Sequence, residues 1–363
     1  MSTGRRLAAL ALALVLTGCV GTSEVATGPG GNEPETTPVS SVTTTTATAT
    51  SSTTPPTTST TVEIASLPLA QPDDPELRVL FSIPAGPDGV TYTGGLEDWE
   101  VSGPQALTVS PDGSIWIADD GLRLLHVAAD GSRLATIDTD AYEVGPLIDV
   151  AAVEDGVWGL EVVPMLERYR LVFFSDSGEL VDSFDLPSGL HLEDGLSGIA
   201  TTPNGQVWIE LEGGAKVYTA FDAAGAFSPQ RAEGYEVQGV TMHEAQGIEG
   251  GMARFYIGDV TIERPVRWMG GLTFEGAVPG WVVLLLSDVA FDDTGAIAVD
   301  LEILYTDLAG TIAATATYPL DEVASEAYVP QDFIAVGPDG RLIAMKPGPN
   351  SLDVVALSLF PTD

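Results

Sequence analysis

A hairpin signature returns along the chain at a nearly fixed interval. The stretch SPDGSIWIADDG, Ser110 to Gly121, is answered by TPNGQVWIELEGG and by GPDGRLIAMKPG. Turn glycines at Gly113, Gly156, Gly205, Gly251, Gly295 and Gly340 follow one another at 43, 49, 46, 44 and 45 residues. A self-similar period of this size is that of a blade of four strands, and six such units predict an all-β, six-bladed β-propeller.

Each unit carries the internal punctuation that four strands need. In the first, ALTVS runs to a PDG turn, SIWIAD follows, then LRLLHVAA, a second turn at Asp130-Gly131, and SRLATID. The second turn recurs at Gly178, Gly225 and Gly310. Trp116, Trp158, Trp208 and Tyr256 fall at matching points, where large flat side chains fill the space between neighbouring blades. The last unit offers three strands, while LRVLFSIP, Leu77 to Pro84, stands before the first repeat without a partner. Pairing Leu77–Ile83 with the last unit as its outermost strand closes the ring and removes its open edges.

The hydrophobic first strand, PDG or PNG turn and hWhA-like second strand resemble NHL-type propellers and, more loosely, the gluconolactonase and streptogramin lyase propellers. The resemblance runs from about Leu77 to Phe360. It implies the fold and leaves function open, because this architecture hosts binding, scaffolding and catalysis alike.

The chain begins with a different signal. Arg5 and Arg6 precede the apolar run LAALALALVL, Leu7 to Leu16, the layout of an export signal. Ten apolar residues are too few for a bilayer core that needs about twenty in a helix. The run ends in LTGC, Leu16 to Cys19, which resembles the lipobox of bacterial lipoproteins. That resemblance implies a diacylglyceryl thioether on Cys19, cleavage just before it, and a lipid-anchored protein on the extracytoplasmic face of the cell membrane. Two acyl chains give stable anchoring where one binds reversibly. Cys19 is the only cysteine, so the chain forms no internal disulfide.

Residues 19–68 read as the lipidated cysteine followed by a disordered tether, since TTPVSSVTTTTATATSSTTPPTTSTT has almost no large apolar side chain to offset the entropy of ordering. The expected division is thus a signal peptide over 1–18, the tether over 19–68 and the propeller over 69–363. With 52 acidic residues against 14 Lys plus Arg, the formal charge of −38 repels phosphate backbones. Nucleic acid is excluded as a partner on that ground.

In a propeller the first strand of each blade lines the central channel. Aligning PQALTV, LIDVAA, LSGIAT, VQGVTM, LSDVAF and PQDFIA places Asp149, Asp288 and Asp332 at one level, with Gln105, Gln238 and Gln331 one residue earlier. Three converging carboxylates suit Ca2+ or Mg2+ in the channel. The same residues also serve as caps of neighbouring backbone amides, and both readings stay open. The resemblance to gluconolactonase-like enzymes implies a Glu-Asn-Asp metal set and that to streptogramin lyases a pair of His with a Glu; neither set is recognisable here. The three histidines, His126, His191 and His243, are scattered, and only His243, beside Glu244, falls near an expected channel end. There is no GxSxG elbow, zinc-spaced His/Cys cluster or phosphate-cradling glycine loop.

ERPVRWMGGLTFEGAVPGW in the fourth unit adds Arg264, Arg267, Trp268 and Trp281, residue types common at partner contacts, although packing explains the two Trp as well. The expectation is a non-catalytic, membrane-tethered module that binds a protein, glycan or small ligand. The alternative is a metal-dependent hydrolase or lyase acting at the channel through Asp149, Asp288 and Asp332.

Overall fold

The computed structural model describes residues 76–92 and 103–358, apart from positions 121, 164–165, 167, 194–195, 203–204, 212–215, 246–250, 268, 292–296, 319–331 and 349. Cys19, the export signal and the tether to residue 68 lie outside the described residues, as do Trp268, Gln331 and Gly295. None of the described helices is long and apolar enough to cross a membrane.

The described residues form six antiparallel sheets of four strands each. An opening strand, β1 (Glu76–Pro84), precedes them in sequence. Blade one is β2 (Ala106–Val109), β3 (Ile115–Asp119), β4 (Arg123–Val127) and β5 (Arg133–Asp138). Blade two is β6 (Leu147–Val153), β7 (Gly156–Val163), β8 (Arg168–Ser175) and β9 (Leu180–Asp185). A short helix, α1 (Ser188–Glu193), leads to blade three: β10 (Leu196–Thr201), β11 (Val207–Leu211), β12 (Lys216–Phe221) and β13 (Phe227–Arg231). Blade four is β14 (Tyr235–Val237), β15 (Val240–Glu244), β16 (Met252–Ile257) and β17 (Val260–Pro265). Blade five is β18 (Met269–Val278), β19 (Trp281–Phe291), β20 (Ile297–Asp307) and β21 (Ile312–Tyr318). Blade six joins β22 (Ile334–Val336), β23 (Leu342–Pro347) and β24 (Ser351–Ser358) to β1, in the order β1-β24-β23-β22.

The ring closes as the sequence predicts. β1 runs antiparallel to β24 from Glu76 opposite Ser358 to Pro84 opposite Ser351. Both chain ends of the propeller are thereby held in one sheet, and β24 has no open edge. Apolar clusters fill the seams between blades. One joins Ile83, Met345 and Val354 of blade six to Leu107, Ile117 and Leu125 of blade one. Another joins Trp116 of blade one to Val150, Val157 and Phe174 of blade two. Trp158 and Trp208 occupy corresponding seams as expected. Near the axis, side chains stitch neighbouring first strands: Ala152 N–H donates to Thr108 Oγ1 at 3.2 Å, and Thr201 Oγ1 donates to the Ala152 carbonyl at 3.0 Å.

Two blades differ from the expected phase. In blades one, three and six the PDG or PNG turn joins first to second strand, and Gly113 sits there at φ 86°, where a Cβ would be strained. In blade four that hairpin is instead Gln238-Gly239, between Val237 and Val240, with φ of 51° and 80°. Two positive φ angles in a two-residue loop make the turn that matches strand twist. In blade five the hairpin is Pro279-Gly280, between Val278 and Trp281. Gly251 borders β16, one hairpin later than expected. From Gly205 the first-hairpin glycines are therefore spaced 34, 41 and 60 residues, because blade four has a three-residue first strand and blade five has strands of up to eleven residues. Tyr256 accordingly stands on the third strand of its blade and stacks on His243 at 4.6 Å.

Candidate functional site

The shifted phase decides which acids reach the axis. VQGVTM and LSDVAF are not first strands. Gln238 is an exposed turn residue at the far end of β14, and Asp288 lies on β19, the second strand of blade five. The expected convergence of Asp149, Asp288 and Asp332 therefore does not form. Asp288 is held by Arg267, whose backbone N–H donates to Oδ1 at 2.8 Å and whose Nε donates to Oδ2 at 2.7 Å. Gln105 turns back on its own segment, its Nε2 donating to the Gly103 carbonyl at 2.8 Å.

A different set of carboxylates surrounds the channel. Asp149 stands on β6, Glu210 on β11, Glu244 at the end of β15, Glu275 on β18, and Asp332 just before β22; all five line one cavity of about 860 Å3. No Lys, Arg, His or Cys is among its described lining residues. Bulges in the first strands help to aim these groups. The β6–β7 register skips Ile148 beside Asp149, the β10–β11 register skips Ser197 beside Gly198, and the β18–β19 register skips Glu275 itself. An inserted residue breaks the strict alternation of a strand and redirects the side chain beside it.

Each acid has a defined partner. Asp149 is 3% exposed; its Oδ1 accepts Val150 N–H at 2.7 Å, and its Oδ2 accepts Ile199 N–H of the next blade at 2.6 Å. Its side chain also hydrogen-bonds Asp332. Glu210 accepts the Tyr235 hydroxyl at 2.6 Å. Glu275 accepts the Thr273 hydroxyl at 2.9 Å, and Glu244 accepts the Phe274 N–H at 3.3 Å. Gly198 makes room for the set, because a Cβ there would lie 2.7 Å from Asp149 Oδ2 and 2.9 Å from Glu210 Oε2.

Burial without a counter-charge raises the pKa of all five. Desolvation lifts Glu210 to about 6, against the pull of the Tyr235 hydrogen bond, and lifts Glu275 to about 7. Glu244 is raised well above the usual range, first by burial and then by the Glu210 charge. Asp149 and Asp332 are both raised, chiefly by burial. Both oxygens of Asp149 accept backbone N–H groups, which works against the rise there. The Tyr235 phenol is pushed well above 10 by burial and the neighbouring glutamates.

A comparison within the molecule shows what is missing. The second strands of blades one to five each carry an acid in their last few positions: Asp119, Glu161, Glu210, Glu244 and Asp288. Arg123 neutralises Asp119 at 2.6 Å, Arg168 and Arg170 flank the fully buried Glu161, and Arg267 holds Asp288. At Glu210 and Glu244 the partners are a phenol and an amide. These two acids face the cavity with no protein cation beside them among the described residues.

No group of three or more His, Cys, Asp or Glu among the described residues is arranged to hold a metal ion. The five carboxylates are spread around the wall. The expected partner loop is also dispersed. Arg264 pairs with Glu302 and Arg267 with Asp288 and Asp300, so both link blade four to blade five. Trp281, half-buried, is seven residues from Asp288 along β19, about 23 Å at ~3.3 Å per residue. His243 is exposed on β15, and His126 is buried in the seam between blades one and two.

No protein-family model and no curated sequence matches the chain. Solved structures of similar fold include a streptogramin B lyase, 14% identical with a TM-score of 0.40, covering 71% of this chain and 94% of that one. The PQQ-bound aldose sugar dehydrogenase of Streptomyces coelicolor is 12% identical with a TM-score of 0.43, covering 80% of this chain and all of its own. The WD40 repeats of RRP9 are 11% identical with a TM-score of 0.44, covering 78% of this chain and all of their own. The likeness is one of fold alone.

Proposed function

We propose that this chain is a lipid-anchored, extracytoplasmic binding module whose central channel takes a small molecule rich in hydrogen-bond donors, an amine or a polyol. One observation carries the reading: a cavity of about 860 Å3 whose described lining holds six carboxylates, Asp149, Glu154, Glu210, Glu244, Glu275 and Asp332, and no basic side chain. Carboxyl groups buried with open acceptor capacity favour a ligand that brings N–H or O–H donors, and an ammonium group adds charge compensation. An anionic ligand meets repulsion from every side.

Anchoring rests on the LTGC motif and on Cys19 as its acylated residue. The tether then supplies reach, since a Thr/Ser/Pro-rich chain of this kind stays extended. Changing Cys19 to Ser should release the protein from the membrane fraction.

Calorimetry with mono- and diamines, polyols, simple sugars, Ca2+ and Mg2+ tests the reading. An amine or polyol should bind the wild-type chain and lose affinity in the Glu210→Gln, Glu244→Gln double variant. A panel that binds nowhere, or equally well to the double variant, removes it.

A further inference from the structure

The cavity is graded along its length. Among its described lining residues only Pro111, Glu154, Gly205, Pro279 and Pro338 are exposed, and all five stand in first-hairpin turns, those of blades one, two, three, five and six. The turn end of the ring is therefore its open rim. The other carboxylates stand deeper, and none of them is exposed. Asp149 lies near the start of β6, Asp332 just before β22, and Glu210 opposite Gly198 near the start of β10. From Asp149 to Val153, the residue before Glu154, β6 pairs without a bulge and rises about 13 Å at ~3.3 Å per residue.

Between the two ends the side chains form an apolar collar. β6 contributes Val150, Ala151 and Ala152, β10 contributes Ile199 and Ala200, and β22 contributes Ala335. Two hydroxyls of the lining stand at this level, and both are engaged with a neighbouring strand. Thr108 Oγ1 accepts Ala152 N–H at 3.2 Å, and Thr201 Oγ1 donates to the Ala152 carbonyl at 3.0 Å. A polyol buried here would leave hydroxyls without side-chain partners along most of its length.

We propose that the channel takes a linear primary amine with an aliphatic stem, inserted ammonium first, so that the head reaches the carboxylates, the stem lies in the collar and the trailing end faces the rim. This rests on the amine reading given above and narrows it. The ammonium head brings the donors and the positive charge that the deep wall lacks, and the stem leaves water for the methyl groups of the collar. Glu154, exposed at the rim, draws a cation towards the opening.

Calorimetry on the full chain with n-alkylamines from ethyl to octyl, and with glycerol, reads the grading. Affinity should rise about three- to fourfold for each added methylene, leaving ethylamine and glycerol roughly a hundredfold or more behind octylamine. Octylamine carrying bromine on its last carbon fixes the direction in a crystal, with nitrogen beside Glu210 or Glu244 and bromine on the rim side of Ala200. Short amines or glycerol that bind as tightly as octylamine overturn this inference and leave the broader reading standing. Bromine at the acid end, or octylamine held outside the channel, overturns it too. A panel in which neither amine nor polyol binds removes the broader reading, and this inference falls with it.

Discussion

The Tyr235 hydroxyl donates to Glu210 at 2.6 Å, in a wall whose described lining carries five more carboxylates. The phenol takes the place that Arg123, Arg170 and Arg267 fill beside the equivalent acids of other blades. It satisfies an oxygen without cancelling a charge. Tyr235→Phe keeps the ring and removes the donor, and should cost about 1–3 kcal/mol in denaturant unfolding while raising the Glu210 pKa further.

The pH dependence of stability follows from the same wall. Asp149, Glu210, Glu244, Glu275 and Asp332 all have pKa values raised on folding. The native state then binds more protons than the unfolded chain, so stability is full below the unfolded value near 4 and falls as pH rises through the folded values of about 6 to about 7. His126 opposes this. Burial lowers its constant below 6.5, against the charges of Asp176 and Asp112, so its contribution is lost as pH drops through that value. Five groups outweigh one, and melting temperature should decline from about pH 5 to about pH 8, with up to ~1.4 kcal/mol per pH unit for each proton released. Thermal unfolding at constant ionic strength checks the sign.

Gly198 is a test of crowding rather than of turn geometry. Ala at this position brings a methyl carbon 2.7 Å from Asp149 Oδ2 and 2.9 Å from Glu210 Oε2, in a site that cannot give without parting the Asp149 bond to Ile199. Gly198→Ala should destabilise by about 1–3 kcal/mol and should weaken binding of any channel ligand, as read by unfolding and calorimetry on one preparation.

Two ion pairs that look alike on paper should differ widely. Glu161 is fully buried between Arg168 and Arg170 and also accepts Gly145 N–H, so Glu161→Ala strands buried charge and should cost about 3–5 kcal/mol. Arg267 is largely exposed, and Arg267→Ala should cost under ~1 kcal/mol. Equal losses would contradict the assignment of Arg267 to surface bracing.

Ring closure has its own signature. Ile83 of β1 is 4% exposed in the seam with blade one. A chain that begins after Pro84 leaves β24 with an open edge and should self-associate in sedimentation, whereas the full propeller segment stays monomeric.

How far the sequence could be read depends on the element. Blades one, three and six carry their first hairpin in PDG or PNG, and the orphan strand before Pro84 found its place from the missing strand after Phe360. Blades four and five misled because Gln238-Gly239 and Pro279-Gly280 are compact turns without that signature, while Gly251 mimics it one hairpin later. The phase error carried Asp288 and Gln238 to the axis on paper, yet Asp149 and Asp332, in correctly phased blades, do meet there. Glu210, Glu244 and Glu275 were hidden for another reason. Glu275 sits in a bulge, which a period of two cannot show, and the other two stand on second strands. Their trace was a Glu inside apolar runs, as in VWIEL and LTFEG, an unfavourable placement for a charge unless a ligand or partner awaits it.

Occupancy of the acid-walled channel in use is read most directly from a crystal structure of the protein isolated from its native source. The expected result is an ordered small molecule in the channel with nitrogen or oxygen atoms about 2.7–3.2 Å from oxygens of Glu210 and Glu244. A channel filled only with water, in protein that also gives no heat with amines or polyols, would contradict a binding role for this wall.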